Sequence, residues 1–168
     1  MKLHTHSLRV TGLALLLSMA TVSAYAASPA SFVENASAKG MAEIQTSQLA
    51  MDKSQSDDIK SFAQMMITDH TDANQKLGAI ATGLNLKTAS DAEMMDKAKK
   101  MILQYRDGSF DKAYAANQVK AHQQTIKLFQ DEIKTSQTPE LTAFAKETLP
   151  KLQDHLMMAK QLQAKYDK

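Results

Sequence analysis

The chain has 168 residues, with 20 Lys and Arg against 18 Asp and Glu, no cysteine and no tryptophan. A charge this close to neutral gives no drive toward nucleic acid or an anionic membrane surface. The missing thiols exclude disulfide staples, thiolate nucleophiles and thiolate metal ligands. Ala, Leu, Lys, Gln, Met and Glu dominate while Gly and Pro are few, a composition of strong helix formers.

Residues 1–26 read as a signal peptide. Lys2 and Arg9 make a basic start, and Val10 to Val22 is an apolar run. At about 13 residues that run is too short for a ~30 Å hydrocarbon core. Ala24 and Ala26 then flank Tyr25 in the small-residue pattern of a cleavage site. The expected product, residues 27–168, is one periplasmic domain with no membrane insertion after cleavage. With no cysteine after the apolar run, a lipid anchor is excluded. Cleavage removes Lys2 and Arg9 and leaves 18 basic and 18 acidic side chains. About 142 residues must then be stabilised by an apolar core alone.

Ser28-Pro29 has the form of an N-cap followed by a first-turn proline, opening a helix to about Lys53. Ser56, followed by Asp57 and Asp58 at the positive end of the dipole, caps a second helix that Gly83 ends. The stretch from Leu84 to Ser109 is a connector carrying one short helix, opened by the capping box Ser90-x-x-Glu93 and reaching about Tyr105. Ser109 caps a third long helix from Phe110 to about Lys134. Thr138-Pro139 opens a fourth, reaching about Tyr166 with Pro150 inside it. No strand-like alternation of useful length occurs. Two helical hairpins joined by a long connector with a short extra helix make an all-α fold, a ferritin-like four-helix bundle.

Two of the five histidines, His4 and His6, leave with the signal peptide. His70, His122 and His155 fall on three different long helices, each in phase with its apolar stripe. Those stripes are Ile59, Phe62, Met66, His70, Ala73, Leu77 on the second helix and Ala115, Val119, His122, Ile126, Phe129 on the third. The fourth helix has Leu152, His155, Ala159, Leu162. The first helix has no histidine, but its stripe of small residues carries Glu43 at its middle. Counting from the hairpin turns at ~1.5 Å per residue, Glu43 and His70 differ in height by ~5 Å, and His122 and His155 by about the same.

Three imidazoles and one carboxylate on the inner faces of four helices form a ligand set for one divalent transition-metal ion such as zinc, iron, copper or nickel. A buried carboxylate without a partner would be very costly, which strengthens the set beyond any single histidine. The competing reading is a metal-free polar network in which Glu43 and the three imidazoles satisfy one another. The usual di-iron pattern needs Glu-x-x-His twice, and here Ile67 and Leu152 stand three residues before His70 and His155. Met66 and Met158 lie one turn from His70 and His155, where a thioether would favour Cu(I) or simply fill the core. Asp69 and Asp154 each precede a histidine, but neighbours on a helix do not share a face, so they belong to the rim or the outer shell. Tyr114 reads as core.

The runs Phe32-Val33-x-x-Ala36…Glu43 and Phe62-Ala63-x-x-Met66-x-x-Asp69-His70 resemble the first half of a known family. Phe110-Asp111-x-x-Tyr114…His122 and Phe144-Ala145…Leu149-Pro150-x-Leu152-x-x-His155-Leu156 resemble its second half. This is the secreted bacterial family of domain of unknown function 4142. The resemblance spans the mature chain and implies an exported, ferritin-like four-helix bundle whose polar motif positions include Glu43, His70, His122 and His155. It implies no activity, and the outer-membrane label often given to the family has no counterpart here in barrel-type strands.

The expected function is a periplasmic metal-binding bundle with a mononuclear site, serving metal buffering or stress and redox defence. The alternative is a metal-free helical interaction or stress-protective protein. No nucleophile–base pair or phosphate loop argues for an enzyme, and an activity would require an open coordination position.

Overall fold

A computed structural model describes residues 28–90 and 110–167. The signal peptide, the short connector helix and the Ser109 cap read from the sequence lie outside the described residues. Four long helices make up the remainder, α1 (Pro29–Lys53), α2 (Asp57–Gly83), α3 (Phe110–Thr135) and α4 (Pro139–Tyr166). The architecture is all-α and consistent with a four-helix bundle.

The helix ends show which local signals act. Ser28 caps α1 as its pattern requires, its hydroxyl accepting from the Ser31 amide at 3.2 Å. Ser56 precedes α2, but its side chain makes no cap bond. Its hydroxyl donates across the bundle to Asp111 at 2.6 Å, while the Ser56 amide donates to the Ser54 hydroxyl at 3.0 Å. Gly83 is the last residue of α2, yet the left-handed position that reverses the chain is Asn85, at φ 55°. The Leu86 amide then reaches back to the Ala81 carbonyl at 2.8 Å, the closing bond of a Schellman-type end. Just beyond, the Ala89 amide donates to Ser37 at 2.9 Å and ties this segment to α1. Thr138 also makes no side-chain cap bond, so Pro139 alone carries the start signal of α4, which continues through Pro150.

Helices α1 and α2 pack along their length, as do α3 and α4, and the two hairpins meet across an α1–α3 and an α2–α4 seam. The interior is divided in three along the bundle axis. One apolar cluster joins Phe32, Val33 and Ala36 to Leu77, Phe129, Leu141, Phe144 and Leu152. The Phe32 and Phe129 rings meet edge to face at 5.3 Å. A second cluster, toward the hairpin turn of α1 and α2, joins Ala50, Ile59, Phe62 and Met66 to Tyr114, Ala115, Ala159 and Leu162. Between them lies a polar layer of Glu43, His70, Gln118, His122 and His155, all buried.

Candidate metal centre

Each histidine enters this layer because it continues an apolar stripe, so the burial that folds the helix also carries the ring inward. The three rings face one another, with centroids 5.7 Å apart for His70 and His122, 5.4 Å for His70 and His155, and 5.5 Å for His122 and His155. One ring nitrogen from each can be taken such that all three lie within 4.8 Å of one another. Among the described residues, this is the group of potential ligand atoms that could hold a metal ion.

The hydrogen bonds around the rings sort their nitrogens. His122 donates from Nδ1 to the Gln118 carbonyl at 2.8 Å, one turn back on its own helix. His155 donates from Nε2 to the Asp69 carboxylate at 2.9 Å. Those bonds leave a lone pair on His122 Nε2 and on His155 Nδ1. Both atoms are buried without a hydrogen-bond partner, as is His70 Nε2. So every ring carries one orphaned nitrogen, and two of the rings are held in one tautomer by an outer acceptor. Carboxylates and backbone carbonyls in that outer position are the common supports of metal-bound histidine.

The rings are also kept neutral. Burial, reinforced by the other two imidazoles, pushes His70 down to about 3. Burial takes His122 to about 4 against the opposing Gln118 carbonyl. His155 is lowered by burial as well, although Asp69 pulls the other way. Asp69 itself would rise through burial, but hydrogen bonds from Lys151 at 2.8 Å and from His155 outweigh that and hold its carboxyl low. Neutral imidazole is the form that binds metal.

Glu43 is in the layer but not in the cluster of nitrogens. The structure brings together His70, His122 and His155, whereas the Glu43 carboxylate accepts from Gln118 Nε2 at 2.7 Å. Gln118 also supplies the carbonyl that holds His122, so one residue links the carboxylate to the ring. Burial pushes the Glu43 carboxyl up to about 7, against the Gln118 hydrogen bond and the Lys39 charge. Sequence reasoning passed over Gln118, though it stands four residues before His122 on the same helical face. Asp69 does belong to the outer shell, but it serves His155 on α4 and not its neighbour His70. Tyr114 is core, its hydroxyl sharing a hydrogen bond with Ser47 at 2.8 Å. Met66 is fully buried in the second cluster, and Met158 is partly buried against that cluster.

The model of the domain of unknown function DUF4142 matches residues 15–162. The chain belongs to this family. The match takes in the first three helices, the fourth as far as Leu162, and every residue of the polar layer. No curated protein and no solved structure matches the chain. Among the described residues, no helix is long and apolar enough to cross a membrane.

Proposed function

We propose that this DUF4142 protein is exported to the periplasm and holds one divalent transition-metal ion, zinc, iron or copper, on His70, His122 and His155. Glu43 is the site's accompanying carboxylate. The observation that carries this reading is the set of three orphaned ring nitrogens at the centre of the bundle. A self-contained polar network would pair those atoms with Glu43 and with one another. Instead, Glu43 is engaged by Gln118, and each ring keeps one unpartnered nitrogen. Leaving a buried polar atom unpaired costs about 1–3 kcal/mol each, which an ion shared among three would recover.

The dimensions favour a mononuclear centre. Three nitrogens at ~2.0–2.1 Å from a tetrahedral zinc lie roughly 3.4 Å apart. Ring nitrogens within 4.8 Å of one another suit one shared ion. Three protein ligands leave a fourth position for water, a buffered exchange partner or Glu43. Such a site suits metal buffering or a part in stress and redox defence, and the reading does not require catalysis.

The test is metal content by mass spectrometry on untagged protein released from the periplasm without chelator, alongside His122→Ala and Glu43→Gln. Near-stoichiometric zinc, iron or copper that disappears in His122→Ala is expected. Loss in Glu43→Gln as well would make the carboxylate a fourth ligand, and retention would leave it in the outer shell. A metal-free native protein that cannot be reloaded would instead favour the structural network and a protein-interaction role.

A further inference from the structure

The two seams between the hairpins are built differently at the level of the imidazoles. On the α2–α4 side, Asp69 bridges His155 and Lys151. The apolar groove on that side, about 570 Å³, lies beside Phe62, Met65, Met158 and Leu162, and the fully buried Met66 stands on α2 between Phe62 and His70. On the α1–α3 side a cleft of about 270 Å³ opens instead. It is lined by the buried Glu43, Thr46 and Thr125 and by the less buried Lys39, Lys120 and Gln124. Thr125 also lines a second, interior cavity of about 20 Å³ that His70 borders. That volume is enough for one water-sized molecule. Thr125 is the residue that lines both the solvent-open cleft and the cavity beside His70.

The chemistry of the cleft selects its traffic. Lys39 and Lys120 bring two ammonium groups to the cleft against the single carboxyl of Glu43, a balance that favours a small anion over a free divalent cation. The Thr125 hydroxyl donates to the Ala121 carbonyl at 2.9 Å, one turn back on α3, and is held there by its own helix.

We propose that the α1–α3 cleft is the access route by which a small anion reaches the ion at the histidine centre, with Lys39 and Lys120 drawing it in and Thr125, which lines both spaces, on its path. The inference rests on the metal reading above, and the following experiment separates the two. Protein loaded with Co(II) is titrated with azide, following the visible ligand-field bands and the stopped-flow association rate. Azide is expected to shift the bands of the loaded wild type. Ala121→Leu, which fills the cleft, should slow association about tenfold or more at unchanged Co(II) stoichiometry, and Lys39→Gln with Lys120→Gln should slow it severalfold at low salt and flatten its salt dependence. Loaded protein whose bands ignore azide, or variants that all associate at the wild-type rate, would overturn the route while leaving the metal centre intact. Failure of the wild type to bind Co(II) at all would take down both.

Discussion

The aromatic end of the bundle and its polar middle are equally buried but made for different ends. Phe32, Phe129 and Phe144 belong to an apolar cluster, and their rings pack edge to face or tilted, at 5.3 and 5.8 Å. In the polar layer between the two apolar clusters, three imidazoles meet at similar distances, yet each carries an unpaired ring nitrogen. The first arrangement lowers the free energy of the folded chain as it stands. The second raises it, because three buried ring nitrogens stand unpaired. Burial alone therefore does not distinguish a core from a site, and the fate of the polar atoms does.

That contrast is open to direct attack. Phe32→Ala should cost about 3–5 kcal/mol through lost transfer energy and a residual cavity. Chemical denaturation would show this as a lower midpoint, with metal stoichiometry unchanged. Chelation should act on the other region, lowering the melting temperature of the metal-loaded protein by the equivalent of about 3–4 kcal/mol if the ion is supplied at 100 to 1,000 times its Kd. In His70→Leu the chelator effect should vanish, and the metal-free variant should be as stable as metal-free wild type or more so, because an orphaned nitrogen is replaced by apolar volume. A strongly destabilised metal-free His70→Leu would show that the imidazoles support the fold themselves.

The acid–base behaviour sharpens the comparison further. In metal-free protein, His70 and His122 are held near 3 and 4, against about 6.5 when unfolded. Their neutral forms contribute stability in full above about pH 6.5, and it is lost as the pH falls toward those folded values. Glu43 works in the opposite sense, since its folded value of about 7 lies above the ordinary 4.5. Its contribution is complete below about pH 4.5 and is lost as the pH rises through 7. Glu43→Gln should therefore be more stable than wild type at pH 8 by roughly 1–3 kcal/mol. The two should converge below pH 4.5, which urea titrations across that range would show. Asp69→Asn should weaken metal affinity about 10–100-fold while retaining stoichiometry at saturating metal. The smallest expected effect is Gly78→Ala, on an α2 surface where an added Cβ meets nothing within 4 Å. It should stabilise by about 0.5–1 kcal/mol through helix propensity and leave metal binding untouched.

The fold was legible because its signals are local. Ser28-Pro29 and Thr138-Pro139 mark helix starts within two residues, and the stripes through Phe62, Met66 and His70 repeat at the helical period regardless of partner. The three histidines were legible for the same reason, because a ring in phase with a buried stripe must face inward. What acts between helices was not. Asp69 reaches His155 across the α2–α4 seam, Gln118 reaches Glu43 across the α1–α3 seam, and Ser56 forgoes its own helix for Asp111. Each depends on the rotation of one helix against another, which no single stripe encodes. The reversal at Asn85 after Gly83 is a smaller case, in which the residue most tolerant of positive φ was not the one that adopted it.

The polar layer also fixes how the helices are aligned. An all-apolar bundle of helices 25 to 28 residues long presents similar surfaces after a one-turn slide. Here a slip of ~5.4 Å along either seam would separate His155 from Asp69 or Gln118 from Glu43. Several buried polar groups would lose their partners at once, so alternative alignments are penalised together, as a single buried asparagine does in a coiled coil. The histidines thus act as a registration mark, and a chain in which they were all replaced would be free to settle in more than one alignment.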